Sequence, residues 1–161
     1  GFEPRQYDNE DYGFTIGKAV ELAEGSDITL ICCGITVFHA MEAAKMLRED
    51  DGLSVRVLNM HTIKPLDTEA VLKAVTDTRR LIVFEEHNIH GGLGSAVADV
   101  IAAGGKGCAF RKVGLPDCYS EVGYPEDLYT HYKLDADGIM ETVREVMQIE
   151  FEEDEDWEDE V

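Results

Sequence analysis

The sequence has few basic residues, and this shortage excludes several kinds of partner. It contains 14 lysine and arginine residues against 34 aspartate and glutamate residues, which gives a formal net charge of −20 at pH 7. A surface with this excess of negative charge repels nucleic acid and anionic membranes, because both are polyanions. We therefore expect no nucleic acid and no membrane among the partners of this chain.

The sequence also has no long apolar run and no paired-cysteine motif. No stretch reaches the roughly 20 apolar residues that a membrane-spanning helix needs, and the first residues show no signal-peptide pattern. The four cysteines form no Cys-x-x-Cys pair: Cys32 and Cys33 are adjacent in a predicted buried strand, and Cys108 and Cys118 lie near the ends of another. This usage is typical of reduced, structural cysteine in a cytoplasmic protein, without a metal framework.

The length and the charge distribution predict a single domain with polar ends. The 161 residues are enough for one domain with a substantial core. Residues 1–13 are polar, contain Pro4 and have no helical or strand period, so we expect a lead-in or linker. Residues 150–161, EFEEDEDWEDEV, are nearly all acidic. Like charges at this density repel each other, which predicts a disordered acidic tail outside a domain of residues 14–149.

The most informative stretch is RRLIVFEEHNIHGGLGSAVADVIAAGG, residues 79–105. Residues 81–84 are consecutive apolar residues, which predicts a strand buried on both faces, as in a parallel sheet. Glu85, Glu86 and His87 follow directly, where we expect the strand to leave the sheet. In open α/β sheets, functional residues collect at the carboxyl ends of the strands. This point is therefore the first candidate site.

A glycine-rich turn, GGLG at residues 91–94, leads from this strand to a helix predicted over residues 95–103. The turn is not a dinucleotide fingerprint, because Val97 stands where a third glycine is needed, and no phosphate loop is present. A tight turn with close backbone approach and anion binding at the helix amino terminus both remain open. The helix is apolar nearly all round, so we expect the sheet to cover one face and something else to cover the other.

The rest of the chain alternates between predicted strands and helices. We expect an edge strand or hairpin over 14–22 and a helix over 37–50. Asp67 is placed to cap a helix over 68–75, Pro125 suits the start of a short helix, and Asp135 can cap a final helix. Further strands are expected at 28–33, at 109–115 and, with one less buried face, at 54–60. This order predicts a three-layer α/β/α domain with a mostly parallel sheet.

Several polar residues converge at one predicted edge of this sheet. His61 and Lys64 follow the strand at 54–60, so they share an edge with Glu86 and His87 if the strands are parallel. Three interpretations of the Glu85–Glu86–His87 group stay open: an acid–base site, a polar surface that meets a neighbouring domain or subunit, and local helix capping.

Three stretches together resemble the carboxyl-terminal domain of transketolases. They are HTIKPLDTEAV (61–71), FEEHNIHGGLGSAVADVI (84–101) and SEVGYPEDLYTHYKLDADGIMETV (120–143). The resemblance is closest to the bacterial and archaeal kind in which transketolase is split into two chains. It implies a five-stranded mixed sheet, with the region 14–22 supplying the antiparallel strand. It also implies a dimeric, cytoplasmic transferase of the pentose phosphate pathway, which moves two-carbon ketol groups between sugar phosphates with thiamine diphosphate.

The resemblance also implies that the chemistry occurs on other domains. Such enzymes bind thiamine diphosphate and Mg²⁺ between two domains that would lie upstream, through a Gly-Asp-Gly motif that is absent here; the nearest string is Ala136-Asp137-Gly138. We therefore expect no catalytic, cofactor-binding or metal-binding residue on this chain and no activity from it alone. Its partner would be the upstream domains or subunit. The candidate interface residues are His61, Lys64, Glu85, Glu86, His87, Gly91, Gly92 and Gly94.

Two alternative functions remain open. The first is the equivalent domain of a 2-oxo acid dehydrogenase beta subunit or of deoxyxylulose phosphate synthase; TIKPLD is compatible with both, whereas HNIHGGLGSAV favours transketolase. The second is a free-standing α/β ligand-binding module with an anion at residues 91–95.

Overall fold

Buried strands rich in branched side chains form the centre of the fold. The computed structural model describes residues 13–151, so the predicted lead-in, apart from Gly13, and residues 152–161 of the predicted tail lie outside the described part. The elements in chain order are β1 (Val20–Ala23), β2 (Ile28–Cys32), α1 (Thr36–Asp51), β3 (Val55–Asn59), α2 (Thr68–Thr78), β4 (Arg80–Asn88), α3 (Leu93–Gly104), β5 (Ala109–Leu115), α4 (Pro125–His131) and α5 (Ala136–Met147).

The strands make one five-stranded sheet in the order β1-β3-β2-β4-β5. β3, β2, β4 and β5 are parallel, and β1 pairs with β3 in the antiparallel sense at the edge. The mixed sheet is therefore confirmed. The antiparallel strand is shorter than predicted over 14–22, because the Lys18 N–H donates to the Thr15 carbonyl (3.0 Å) and turns the chain before β1 begins.

Helices cover both faces of the sheet. Consecutive residues of a strand point to opposite faces: Leu30 and Cys32 of β2 pack in the core that includes side chains of α1 and α5, whereas Ile31 packs in the core that includes side chains of α2 and α3. The three-layer α/β/α arrangement is confirmed. Among residues 13–151, every helix is too short or too polar to span a lipid bilayer.

Further predicted elements differ from the structure. The strand expected over 81–84 continues as β4 to Asn88, with an irregular register against β5 between Phe84 and Asn88. β3 was predicted to have a less buried face, but every residue except Arg56 is buried, because helices pack on both sides. The helix predicted over 68–75 extends to Thr78, where the Arg79 N–H donates to the Val75 carbonyl (3.2 Å).

Candidate interface site

The site is centred on the carboxyl end of β4, where the Glu85 side chain is only 2% exposed. Its Oε2 accepts a hydrogen bond from the Leu93 N–H (2.6 Å), and its Oε1 accepts one from the Gly94 N–H (2.9 Å). These N–H groups begin α3 and have no partner within the helix, and the helix dipole favours a negative charge there. Glu85 is therefore a helix cap supplied by the neighbouring strand, which is the capping interpretation.

The glycines of the turn leave room for this carboxylate. A Cβ at Gly92 would lie 2.0 Å from Oε2 of Glu85, and a Cβ at Gly94 would lie 3.1 Å from its Oε1 and 2.8 Å from the Lys112 side chain. Gly91 differs, because its φ of +78° is in the left-handed region that favours glycine. The turn does involve a close approach, but the groups approached are side chains of the same chain and not backbone, which was the approach predicted.

The turn is held by further hydrogen bonds on its outer side. The Gly91 N–H donates to Ser95 Oγ (2.9 Å), and Lys112 Nζ donates to the Ile89 carbonyl (2.9 Å). The first free N–H groups of α3 are the ones that an added anion would need. Since two of them already bind Glu85, the geometry does not favour the anion-binding interpretation at residues 91–95.

His87 lies on the exposed side of the same cluster. Its Nδ1 is 2.8 Å from the Asn88 carbonyl oxygen and 3.9 Å from Oε2 of Glu85. Because both oxygens of Glu85 already accept backbone hydrogen bonds, the geometry favours capping over acid–base chemistry for this carboxylate.

Glu86 is exposed and contacts α4 instead of α3. Its Oε1 accepts a hydrogen bond from the Tyr129 hydroxyl (3.1 Å), and the Tyr129 ring lies 5.5 Å from the His39 ring between centroids. Burial, together with the hydrogen bond to Glu86 and the charge of that carboxylate, raises the pKa of the Tyr129 hydroxyl. Tyr129 therefore stays protonated and donates to Glu86 at neutral pH.

The carboxyl end of β2 adds a thiol beside this cluster. Burial, followed by the negative charges of Glu85 and Glu86, raises the pKa of Cys33 to about 11. Burial also raises the pKa of Cys32. Both thiols are thus protonated and weakly nucleophilic at neutral pH. All four cysteines are free: Cys32 is buried, Cys33 and Cys108 are half-buried, and Cys118 is exposed, so the prediction of structural cysteine does not fit Cys118.

His61 and Lys64 form a second group at the same edge of the sheet. The His61 ring stacks on Phe14 with 4.1 Å between centroids, and its Nδ1 lies 2.8 Å from Thr62 Oγ1. Its Nε2 is buried and has no hydrogen-bond partner within residues 13–151. Lys64 is exposed. β2 separates β3 from β4 in the sheet, so the eight candidate residues form two groups on one edge.

Some members of the site have no signal in the sequence. The contacts of Tyr129, Lys112 and His39 join elements that are distant in the chain, so no local pattern identifies these residues. Glu85 had a readable signal: a carboxylate at the end of a buried strand, followed by a turn in which Gly92 and Gly94 flank the start of a helix.

The nearest string to a metal–diphosphate motif serves another purpose. Ala136-Asp137-Gly138 forms the first turn of α5, where Asp135 Oδ1 accepts from the Gly138 N–H (2.9 Å). A Cβ at Gly138 would lie 2.5 Å from the Lys133 Cα, so this glycine is needed for packing. Within residues 13–151, no group of three or more histidine, cysteine or acidic side chains could hold a metal ion. These residues do not fit a metal–diphosphate site, and no step through thiamine diphosphate is assigned to them.

The five-stranded mixed sheet with helices on both faces makes this chain a three-layer α/β/α domain. Comparison with known proteins shows which family of such domains it belongs to. Residues 17–139 match the family model described as "Transketolase, C-terminal domain". Because this match spans more than half of the chain, the protein belongs to the transketolase C-terminal domain family.

Named relatives include subunits of transketolases. The chain is 41% identical over 145 residues to a subunit of the apulose-4-phosphate transketolase of Phocaeicola vulgatus, a match that covers 90% of this chain and 46% of that protein. It is 37% identical over 131 residues to "1-deoxy-D-xylulose-5-phosphate synthase" of Heliobacterium modesticaldum, covering 81% of this chain and 20% of that protein. The chain thus spans less than half the length of these relatives.

A solved structure is similar to this chain both in fold and in sequence. The structure titled "Split gene transketolase, inactive beta4 tetramer" aligns with a TM-score of 0.84 and 34% identity, covering 92% of this chain and 48% of that one.

Proposed function

We propose that this chain is the C-terminal part of a transketolase whose thiamine-diphosphate-binding domains are provided by an upstream segment or a separate subunit. The observation that carries the proposal is the 41% identity, over 90% of the chain, to a protein named as one subunit of a transketolase. The complete enzyme would be a transferase that moves two-carbon ketol groups between sugars. The cofactor, with Mg²⁺, supplies the carbanion chemistry in such enzymes.

The role of this chain in that enzyme would be assembly, not chemistry. The buried Glu85, with Gly92 and Gly94, fixes the shape of the turn before α3, and this is a structural task. The exposed Glu86 and His87 then lie on a rigid edge of the sheet. We propose that this edge contacts the upstream domains, and that His61, Lys64 and Gly91 belong to the same contact.

The substrate would be a sugar, and the upstream domains would determine which sugar is bound. One relative is named for apulose-4-phosphate, so we propose a ketose phosphate donor without restricting it to the pentose phosphate pathway. A cytoplasmic enzyme that is dimeric in its complete form is part of the same proposal.

A second candidate is the corresponding domain of a deoxyxylulose phosphate synthase. The 37% identity to such an enzyme supports it. The two candidates predict different donors and products: a lengthened sugar phosphate from a ketose donor for transketolase, and deoxyxylulose phosphate from pyruvate and a triose phosphate for the synthase.

A reconstitution assay tests the proposal. The chain, the upstream half expressed separately, and an equimolar mixture are each assayed for ketol transfer with thiamine diphosphate and Mg²⁺. We expect turnover only in the mixture, or a turnover in the mixture that is far above that of the upstream half alone. Turnover by this chain alone, or a mixture that never exceeds the upstream half, would contradict the proposal. Pyruvate replaces the ketose donor in a parallel reaction to detect synthase activity.

A further inference from the structure

The loop between β5 and α4 exposes large apolar side chains. Tyr119 and Val122 are fully exposed, and Tyr124 is 76% exposed. These three residues lie within residues 116–124, which we call the tyrosine loop. The following helix, α4, has no buried residue. Large apolar side chains exposed close together in one loop are a feature of protein interaction surfaces.

The tyrosine loop is held by hydrogen bonds within it and to Tyr132 at the end of α4. The Glu121 N–H donates to the Tyr132 hydroxyl oxygen (3.2 Å), and that hydroxyl donates to Ser120 Oγ (3.3 Å). The Cys118 N–H donates to the Pro116 carbonyl (2.7 Å). A surface that is already ordered loses little conformational freedom on binding, so its exposed side chains can contribute more to affinity.

The loop is continuous with the candidate interface. It follows the carboxyl end of β5, which pairs in parallel with β4. Asn88 at the end of β4 donates from Nδ2 to Asp117 Oδ1 in the loop (3.3 Å). Through Glu86, the Tyr129 hydroxyl links α4 to the same strand end. The tyrosine loop therefore extends the edge that holds Glu86 and His87.

The charge of this surface indicates what kind of partner fits it. Residues 116–130 contain four acidic residues and no lysine or arginine, and Glu126 and Asp127 form the exposed first turn of α4. A second copy of this chain would bring the same acidic surface and a net charge of −20, so like charges would meet. A partner with an apolar groove rimmed by lysine or arginine would bring complementary charge.

We propose that the tyrosine loop docks on the upstream half of the enzyme. In this arrangement Tyr119, Val122 and Tyr124 enter an apolar groove, and Glu121 and Glu126 face basic residues at its rim. The inference rests on the proposed function, because it requires an upstream half. The length of the relative supports that requirement, since this chain covers only 46% of it. Aromatic side chains in desolvated pockets commonly provide most of the affinity of such interfaces.

Calorimetric titration of this chain with the separately expressed upstream half tests the apolar part. The variant Tyr119→Ser/Val122→Ser/Tyr124→Ser should bind with a Kd at least about tenfold higher than wild type. The control is Ile149→Ser, because Ile149 is another exposed apolar residue (40%) and lies beside Arg80 at the opposite end of β4. It should change the Kd by less than about twofold. Thermal unfolding of each variant checks that the fold is retained.

The salt dependence of the same titration tests the charged part. The variant Glu121→Gln/Glu126→Gln should bind more weakly at low salt and show a smaller loss of affinity as salt rises. The matched control, Glu24→Gln/Asp50→Asn, neutralises two exposed acids outside the loop, one directly after β1 and one in the last turn of α1, and should keep the wild-type salt dependence.

The outcomes separate this inference from the proposed function. If wild type binds and restores turnover while the triple variant binds equally well, the inference is overturned and the proposed function stands. If wild type does not bind the upstream half at all, both are overturned. Sedimentation velocity of this chain alone gives a third outcome: self-association that the triple variant loses would assign the loop to a second copy and overturn the inference.

Discussion

At the residue scale, Glu85 and Gly92 form one structural unit. The N-cap position of α3 is Gly92, which has no side chain to cap the helix. The missing acceptor comes from Glu85, which lies on a different element, eight residues before Leu93. A side chain at the N-cap would occupy the space of this carboxylate, since its Cβ would lie 2.0 Å from Oε2. The Glu85 carboxylate can therefore cap α3 only if position 92 has no side chain, and Gly92 at the N-cap needs that carboxylate as the acceptor.

Removing the carboxylate should destabilise the fold markedly. Glu85→Ala leaves two buried N–H groups of α3 without acceptors, and each costs about 1–3 kcal/mol. We expect the free energy of unfolding in urea to fall by about 2–4 kcal/mol. Glu86→Ala is the control, because Glu86 is adjacent but exposed, and it should cost about 0.5 kcal/mol or less. Equal effects of the two substitutions would contradict the capping role.

Adding a side chain at the glycine should have a related effect. Gly92 has a φ of −93°, which any residue adopts, so Gly92→Val is expected to cost about 1–3 kcal/mol through overpacking against Glu85 and not through backbone strain. Gly107→Val is the matched control, because a Cβ there meets no atom within 4 Å. In a Glu85→Ala background the cost of Gly92→Val should fall. Unchanged stability with lost assembly would show that the close contact is with a partner.

The reactivity of the Cys33 thiol should depend on pH in a way that reflects its burial beside Glu85 and Glu86. Its pKa rises from 9.0 to about 11 in the folded chain, so the native state keeps a proton that the unfolded state loses. Stability from this group is complete below pH 9 and is lost as pH rises through about 11. Alkylation of Cys33, followed in a Cys108→Ser/Cys118→Ser background, should keep accelerating up to about pH 11. A rate that levels off near pH 9 would contradict the buried, negatively charged environment.

At the element scale, the sequence predicted helix starts well where the cap is local. Asp67 and Asp135 accept from N–H groups three residues later, so the cap and the capped group are visible in one short stretch. The start of α3 was predicted at residue 95, not at Leu93, because its cap comes from another strand. Only tertiary structure brings that carboxylate to the helix. The same reason explains why three interpretations of Glu85 stayed open.

The two local caps should differ in strength. Asp67 is buried and also accepts from the Ala19 N–H (2.9 Å), which joins α2 to the segment before β1. Asp135 is half-buried and caps α5 through the Gly138 N–H. We expect Asp67→Ala to lower the free energy of unfolding by about 2–3 kcal/mol and Asp135→Ala by about 1 kcal/mol. Chemical denaturation of both variants measures the difference, and the reverse order would contradict the double role of Asp67.

The apolar helix α3 shows how far a pattern of residues can predict packing. Leu93 and Val97 are buried against the sheet, as expected, whereas Ala102 and Ala103 are exposed in this chain. The pattern predicts that a second surface covers them, and that part stays a prediction. Periodicity identifies an apolar face, but it does not identify the neighbour that would cover that face.

At the scale of the whole molecule, the order of strands and helices was predictable because the central strands are short apolar runs and the helices show helical spacing or local caps. The three-layer fold follows from that alternation. The site was less predictable: its edge could be inferred from parallel pairing, but the separation of His61 from Glu86 by β2 depends on strand order, which no local pattern specifies. The tyrosine loop was missed because exposed aromatics have no period.

The last prediction concerns the acidic residues at the end of the chain. Phe151 lies under the guanidinium groups of Arg79 and Arg80, 4.5 and 4.6 Å from its ring centroid. Residues 152–161 follow it and carry eight of the 34 acidic residues. Deleting 152–161 keeps the Phe151 contact and removes charge from a chain that already repels itself. We expect the melting temperature to change by less than about 2 °C in about 0.5 M salt and to rise at low salt, where repulsion is unscreened.

A matched variant separates charge from packing in this experiment. Phe151→Ala, in the full chain, removes the ring from Arg79 and Arg80 while keeping every acid, and should lower stability by about 0.5–2 kcal/mol at any salt concentration. If the deletion instead lowers the melting temperature as much as Phe151→Ala, then Trp157 or its neighbours contribute packing and the tail is not dispensable. We expect the effect of the deletion on the melting temperature to disappear as salt is added, and the loss of stability in Phe151→Ala to be independent of salt. This pair of results would show that the Phe151 ring stabilises the fold and that the acidic residues act through charge repulsion.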